Sequence, residues 1–223
     1  MRQRPQVPQQ LEASRLVAIM RHTEPSAAIR TVEALLDGGV CVIEVTFNSR
    51  GVLEMLREVG AAFGPRVLLG AGTVLDADAA QQALQVGAKF IVSPHTDPQL
   101  VGWLAERDVP TIPGALTATE VVTAWQAGAS VVKLFPAGSV GIGYLKDLRG
   151  PLNDVPLLPT GGVSLDNAAE FVRAGAWGLG VGSALVDARL VAEGQFGEIT
   201  RRARAFSEAV AAVRTPQPGP SRV

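Results

Sequence analysis

The segment WQAGASVVKLF, residues 125–135, joins an amphipathic helical stretch to a short β-branched strand through one glycine. The same arrangement recurs as LLDGGVCVIEV at 35–45, LQVGAKFIVSP at 84–94 and VRAGAWGLGVG at 172–182. A glycine in the left-handed position after a helix, directly before a buried strand, marks the boundary between βα units. The repeated pattern therefore predicts parallel strands that alternate with helices. The closing glycines are Gly39, Gly87, Gly128 and Gly175.

The same reading of the intervening sequence extends the count to eight strands separated by amphipathic helices. The predicted strands cover residues 16–20, 40–45, 67–71, 89–93, 109–112, 130–134, 155–159 and 177–181, and the predicted helices include 25–37, 51–62, 77–86, 97–106, 118–127 and 166–174. Eight such units within about 200 residues predict an α/β fold of the (β/α)8 or TIM-barrel type in a single domain. An open doubly wound sheet is the alternative, although the first strand lacks the glycine-rich turn typical of it.

Composition limits the classes of function. The chain has a formal net charge of −1, one cysteine (Cys41, expected in the core) and two histidines, so we expect no internal disulfide, metal or cofactor. No basic stripe indicates nucleic-acid binding, and no apolar run reaches the ~18 residues of a membrane span. We expect a cytoplasmic protein with its barrel over residues 14–212. Residues 1–13 and 213–223, rich in Gln, Pro and Gly, are predicted to be flexible tails.

Lys133 lies inside the apolar strand VVKLFP, residues 131–136, and is one of only three lysines in the chain. Burial disfavours the ammonium form and lowers the pKa of a lysine, and a neutral amine is a nucleophile toward carbonyl groups. The alternative is that Lys133 extends from the strand end into solvent.

Glu44 occupies the position equivalent to Lys133 in its own repeat. Glu44 follows Gly39 by five residues, as Lys133 follows Gly128. Strands of the same parity contribute to one layer of a barrel, so the carboxylate and the amine should both point into the barrel mouth. This pairing indicates proton chemistry, with a buried salt bridge as the purely structural alternative.

Two glycine-containing segments, PTGGVS at 159–164 and GVGSAL at 180–185, follow the last two predicted strands. Backbone N–H groups and helix N-termini at these positions commonly bind phosphate in barrels of this type. We expect a phosphate site at Gly161, Gly162, Gly182 and Ser183. The alternative is that these glycines serve only tight turns.

Six motifs together resemble the class I 2-keto-3-deoxy-6-phosphogluconate (KDPG) and 4-hydroxy-2-oxoglutarate (KHG) aldolase family. They are EVT at 44–46, GAGTV at 70–74, SPH at 93–95, KLFPA at 133–137, PTGGVS at 159–164 and GSALV at 182–186. The resemblance runs from about Ser14 to the helix near residue 205. It implies a (β/α)8 barrel, usually a homotrimer, that uses no metal. It also implies cleavage of KDPG to pyruvate and glyceraldehyde 3-phosphate, and often of 4-hydroxy-2-oxoglutarate to pyruvate and glyoxylate.

The resemblance also implies roles for individual residues. Lys133 matches the lysine that forms the Schiff base, and Glu44 matches the general acid and base. Thr73 is similar to a residue that holds the pyruvyl carboxylate, and Pro94 and Phe135 resemble walls around the imine. Gly161, Gly162 and Ser183 match the phosphate site.

One segment departs from the family pattern. Many members read EVTLRT, with an arginine that binds the carboxylate, whereas this chain reads EVTFNS and has Asn48 there. We expect Arg21, at the end of the first strand, to bind the carboxylate as a bidentate partner. Arg50 is less favoured because the next helix begins there. Asn48 is expected to contact the carboxylate or a sugar hydroxyl.

The substrate remains open at this stage. The Asn48–Ser49 turn resembles the branch that acts on the 6-phosphogalactonate epimer, whereas the hydroxyl of Thr160 favours the gluconate form. Two other functions are possible for the same barrel: a sugar-phosphate epimerase or isomerase with Glu44 and Lys133 as its two bases, and a non-catalytic phosphate-binding protein.

Overall fold

Parallel strands close into a barrel in the computed structural model, which describes residues 4–213. Hydrogen bonding joins them in the orders β5-β4-β3-β2-β1-β9 and β6-β7-β8, and a bridge from Thr160 to Gly180 joins β8 to β9. β5 and β6 are two parts of one barrel strand on either side of Pro113, which has no N–H to donate. The predicted single-domain (β/α)8 barrel is confirmed. The strands are β1 (Leu16–Met20), β2 (Val42–Thr46), β3 (Leu68–Gly72), β4 (Phe90–Val92), β5 (Thr111–Ile112), β6 (Gly114–Ala115), β7 (Val132–Leu134), β8 (Leu157–Pro159) and β9 (Leu179–Val181).

Helices surround the barrel, and no helix within residues 4–213 is both long and apolar enough to cross a membrane. The four repeat glycines have positive φ values, from 85° at Gly39 to 113° at Gly128, which confirms the predicted helix ends. The helices are α1 (Gln9–Ser14), α2 (Pro25–Asp37), α3 (Val52–Phe63), a 3-10 turn (Gly64–Arg66), α4 (Ala77–Gln85), α5 (Pro98–Ala105), α6 (Ala118–Ala127), α7 (Ala137–Arg149, broken at Gly141), α8 (Leu165–Arg173), α9 (Ala188–Ala192) and α10 (Phe196–Val213).

An apolar cluster fills the lower part of the barrel lumen. Its members are Leu11, Val17, Val42, Leu68, Phe90, Val92, Ile112, Val131 and Leu158. Side chains alternate between the two faces of a strand, so the residue two positions beyond each inward-facing one also points inward. Glu44 follows Val42 by two positions and Lys133 follows Val131 by two positions. The strand geometry therefore places both charged groups above this apolar layer.

The N-terminal segment differs from its prediction. Residues 4–13 were expected to be a flexible tail, yet residues 9–14 form α1, and Leu11 is 1% exposed within the lumen cluster. The guanidinium of Arg4 lies 3.2 Å from the centroid of the Trp125 ring and donates to the carbonyl of Ala129 at 2.8 Å. The prediction was wrong because it rested on the Gln- and Pro-rich composition of the segment. It gave no weight to the single leucine of the segment, which packs against the bottom of the barrel.

The remaining predictions for the ends of the chain lie outside the described residues, at 1–3 and 214–223. Cys41, expected in the core, is half-buried and packs against the lumen cluster next to the barrel bottom. Burial raises the pKa of its thiol.

Replacing Leu11 with alanine is expected to lower the free energy of unfolding by about 2–4 kcal/mol, because the lost side chain leaves a cavity beneath the barrel. Leu75→Ala is the matched control, since Leu75 is 53% exposed. Urea unfolding followed by circular dichroism measures both. Equal, small effects of the two substitutions would show that α1 does not contribute to the core.

Candidate active site

Glu44 and Lys133 project into the lumen from β2 and β7, and each is 2% exposed. In the sheet, Glu44 pairs with Ile19 and Gly70, whereas Lys133 pairs with Gly114 and Leu158. The two strands lie on opposite sides of the barrel, so the carboxylate and the amine face one lumen from opposite walls. This is the arrangement that the repeat spacing predicted.

Burial and neighbouring charges change the pKa values of both groups. Burial raises the pKa of Glu44, while the charges of Lys133 and Arg21 oppose the rise. Burial lowers the pKa of Lys133; the charge of Glu44 opposes this effect and the charge of Arg21 adds to it. The neutral amine that a Schiff-base lysine needs is thus favoured by its surroundings.

The pair does not form the buried salt bridge that the sequence left as an alternative. Within residues 4–213 no direct ion pair joins Lys133 to Glu44, and the Oε1 atom of Glu44 accepts no hydrogen bond. A buried carboxylate oxygen without a partner is costly for stability. Its position is therefore better explained by a chemical role than by a structural one.

Gly72 makes room for Glu44, and Gly114, which pairs with Lys133 in the sheet, makes room for the backbone of Pro94. A Cβ atom at Gly72 would overlap the Glu44 carboxylate, and one at Gly114 would overlap the carbonyl group of Pro94. Thr73 follows Gly72 with a φ of 55° and is half-buried, as is Pro94. Thr73 and Pro94 therefore border the strands that carry the pair, but neither lines the larger cavity described next.

A cavity of about 620 Å³ opens at the carboxyl ends of β1, β7, β8 and β9. The Phe135 ring in its wall connects it to the lysine, since the ring centroid lies 4.9 Å from Lys133 Nζ. Most of the predicted binding residues line this cavity: Arg21, Phe135, Thr160, Gly161, Gly162, Gly182 and Ser183. The sequence did not predict that His22, Ser164, Asp187 and Arg202 also line it.

Two glycines and an asparagine determine the conformation of the loop after β8. Gly161 and Gly162 have φ values of 81° and 76°, and a Cβ atom at Gly162 would lie 2.6 Å from the Cα of Gly138. Asn167 fixes the loop to the start of α8 by donating to the carbonyl of Gly162 and accepting from the N–H of Ser164, both at 2.9 Å. The positive end of the helix dipole therefore lies at the cavity wall.

A buried chain of hydroxyl groups holds the end of β1, where Arg21 enters the cavity. The N–H of His22 donates to Ser49 Oγ at 2.9 Å, and Ser49 Oγ lies 3.1 Å from Thr46 Oγ1. Thr46 Oγ1 donates in turn to the carbonyl of Met20 at 3.3 Å. The turn after β2 thus positions Arg21 through Ser49, which the sequence interpretation missed.

Two residues considered for the carboxylate lie elsewhere. Asn48 and Arg50 are exposed, and neither lines the cavity. The charge of Arg21 lowers the pKa of both Glu44 and Lys133, whereas Arg50 is not among the causes of either shift. The geometry therefore favours Arg21 as the carboxylate partner.

Comparisons with known proteins agree with this geometry. Residues 7–202 match the sequence model of the family described as KDPG and KHG aldolase. A 2-dehydro-3-deoxy-phosphogluconate aldolase from Treponema pallidum is 39% identical over 194 residues, covering 85% of this chain and 90% of the relative. A 2-dehydro-3-deoxy-6-phosphogalactonate aldolase from Escherichia coli is 33% identical over 196 residues, covering 87% of this chain and 96% of the relative.

A solved structure shares the fold over most of its length. The KDPG aldolase from Legionella pneumophila, with pyruvate captured as a covalent carbinolamine, superposes with a TM-score of 0.81 at 29% identity, covering 88% of this chain and 96% of that one. From the fold, the inward-facing lysine and carboxylate, and these matches over most of each sequence, it follows that this chain belongs to the KDPG and KHG aldolase family.

Proposed function

We propose that this protein is a class I aldolase that cleaves KDPG to pyruvate and glyceraldehyde 3-phosphate. The observation that carries the proposal is the buried amine of Lys133, whose pKa is lowered, facing a carboxylate with an unpartnered oxygen in one lumen. The carbinolamine captured in the Legionella relative is the adduct that such an amine would form with pyruvate.

In the proposed reaction, neutral Lys133 attacks the C2 carbonyl of the substrate and gives a carbinolamine. Loss of water produces an iminium ion. Glu44 then takes the proton from the C4 hydroxyl, the C3–C4 bond breaks, and its electron pair forms the enamine of pyruvate. Glyceraldehyde 3-phosphate leaves, Glu44 returns a proton to C3, and hydrolysis of the imine frees pyruvate and restores Lys133.

Most of the other predicted residues line the cavity, which supports a binding role for them, whereas the roles of Thr73 and Pro94 rest on the family resemblance. We assign the pyruvyl carboxylate to Arg21 and, from the family resemblance, to Thr73, and the phosphate to the glycine loops. Phe135 and Pro94 would enclose the imine. The assigned phosphate-binding residues are Gly161, Gly162, Gly182 and Ser183.

Thr160 supports the gluconate form of the substrate. Its side chain is 3% exposed at the cavity wall, and its hydroxyl makes a long hydrogen bond, 3.3 Å, to the carbonyl of Leu158. This hydroxyl can therefore reorient toward a substrate hydroxyl. The galactonate epimer is the second candidate because of the relative from Escherichia coli. A tenfold preference for the galactonate form in direct cleavage assays would reverse this assignment. A homotrimer and a cytoplasmic location remain predictions.

Borohydride reduction in the presence of pyruvate tests the proposal, because only an imine becomes a stable secondary amine. We expect one pyruvyl adduct by intact mass, located on Lys133 by peptide mapping and absent without reductant. Folded protein that forms no adduct with excess pyruvate would instead support the epimerase or the non-catalytic phosphate-binding protein.

Arg21→Ala is expected to raise the KM for KDPG by about 10- to 100-fold, the range for loss of a charge-assisted hydrogen bond. Arg50→Ala is the control, since Arg50 is also exposed at the carboxyl end of β2 but does not line the cavity. Steady-state kinetics measure both variants. An unchanged KM in Arg21→Ala would remove Arg21 from the carboxylate site.

A further inference from the structure

Arg202 brings a charged side chain to the end of the cavity formed by the loop after β9. It lies in the second turn of α10 and lines the cavity with a side chain that is 26% exposed. Its Nη1 group donates to the carbonyl of Ala184 at 3.3 Å. Ala184 directly follows Ser183, so the guanidinium is fixed beside one of the assigned phosphate-binding residues.

The orientation of Arg202 leaves donors for a ligand. Its Nε group donates to Glu198 Oε1 at 2.9 Å, so two of its five N–H groups are used. The other three have no partner among residues 4–213. A planar guanidinium that is held on one edge and open on the other suits bidentate binding of phosphate oxygens.

Glu198 does not neutralise this charge. The same carboxylate accepts from Arg201 Nε at 2.7 Å and from Arg201 Nη2 at 2.6 Å. Hydrogen bonds from Arg201 and Arg202 lower the pKa of Glu198 to about 2, so it stays ionised. Two guanidinium groups share one carboxylate, and the group as a whole keeps one positive charge.

Asp187 is the acidic residue among those that line the cavity. Its Oδ1 atom accepts from the N–H groups of Arg189 at 2.8 Å and Leu190 at 3.4 Å, at the start of α9. These contacts direct its carboxylate toward the helix, where the dipole stabilises it. Arg202 is therefore the side chain at this end of the cavity with the sign of charge that a phosphate group needs.

We propose that Arg202 binds the phosphate group of the substrate and sets the preference for phosphorylated over unphosphorylated 2-keto acids. The inference rests on the proposed function. Glycine loops and a helix end supply partial charges only, whereas a phosphate monoester carries nearly two negative charges at neutral pH. A full positive charge beside Ser183 completes the site.

The test compares Arg202→Gln, Arg202→Lys and the control Arg201→Gln. Arg201 has the same partner, Glu198, but is 65% exposed and does not line the cavity. We expect Arg202→Gln to raise the KM for KDPG and the inhibition constant of inorganic phosphate by about 10-fold. Arg202→Lys should retain most of the affinity. Arg201→Gln should change neither constant by more than about two-fold.

Pyruvate, which has no phosphate, separates this role from general damage. The pyruvate concentration that half-saturates borohydride trapping should be unchanged in Arg202→Gln. An unchanged KM for KDPG, or an equal loss of pyruvate affinity, would overturn the inference while leaving the aldolase intact. If the wild-type protein cleaved no 2-keto acid, the proposed function would fail, and titration of inorganic phosphate into wild type and Arg202→Gln would still decide whether Arg202 binds the anion.

Discussion

Lys133→Met should abolish the pyruvyl adduct and lower kcat for KDPG cleavage by at least about 10⁴-fold, which is the typical effect of removing a covalent nucleophile. The thioether has similar length but cannot attack a carbonyl, and it fits the apolar surroundings of β7. Cleavage rates and borohydride trapping measure the effect.

Lys146→Met is the matched control, because Lys146 is exposed on α7. It should form the adduct and cleave KDPG at the wild-type rate. Activity retained in Lys133→Met, with an adduct elsewhere, would show that another amine is the nucleophile. Thermal unfolding of both variants establishes that the loss is chemical, since the buried amine of Lys133 is itself costly to the folded state.

Glu44→Gln should lower kcat by about 10²- to 10⁴-fold, because the amide cannot accept the C4 hydroxyl proton or return one to the enamine. Pyruvate trapping should persist because the amine is still present, but at a reduced rate because Glu44 also transfers protons during carbinolamine formation. Glu54→Gln, on the exposed face of α3, is the control and should leave both rates unchanged. Normal cleavage by Glu44→Gln would assign the proton transfers to another group.

The pH dependence of trapping in Glu44→Gln has a definite sign. In the wild type the negative charge of Glu44 raises the pKa of Lys133, against the larger lowering by burial. Removing that charge lets the pKa of Lys133 fall further. The acid limb of the trapping rate, where the amine becomes protonated, should therefore move to lower pH. A shift to higher pH would mean that the two groups do not interact as described.

Much of this molecule could be predicted because its repeats are local. The four closing glycines and the β-branched runs that follow them define βα units in single stretches of sequence. Because β5 and β6 form one barrel strand, β2 and β7 are the second and sixth strands of the barrel, and this shared parity places Glu44 and Lys133 in one layer. The positions of the glycine loops after the last two strands could be predicted in the same way. In each case the structural consequence is determined by neighbours in the sequence.

The residues that were missed depend on contacts between distant parts of the chain. The short segment that carries Leu11 cannot bury it alone. Leu11 becomes buried only because the folded strands bring their apolar side chains together at the bottom of the barrel. Ser49 helps to position Arg21 only because folding brings the end of β1 beside it, where the N–H of His22 donates to its hydroxyl oxygen. Arg202 looks like an exposed helical arginine, but α10 buries Ile199, Ala203 and Phe206, and Arg202 lies beside that stripe. Its neighbours are then set by where α10 packs, which no local pattern specifies.

The contacts of Arg4 and Leu11 at the bottom of the barrel suggest where the protein could be attached to a solid support. Arg4 and α1 lie under the floor of the barrel, at the end remote from the cavity, so a support joined ahead of Arg4 would leave the mouth open to solution. Tension on such a linkage would act first on the Arg4 contact with Trp125 and then on Leu11. In protein immobilised in this way, these contacts of Arg4 and Leu11 should break before Glu44 or Lys133 is displaced.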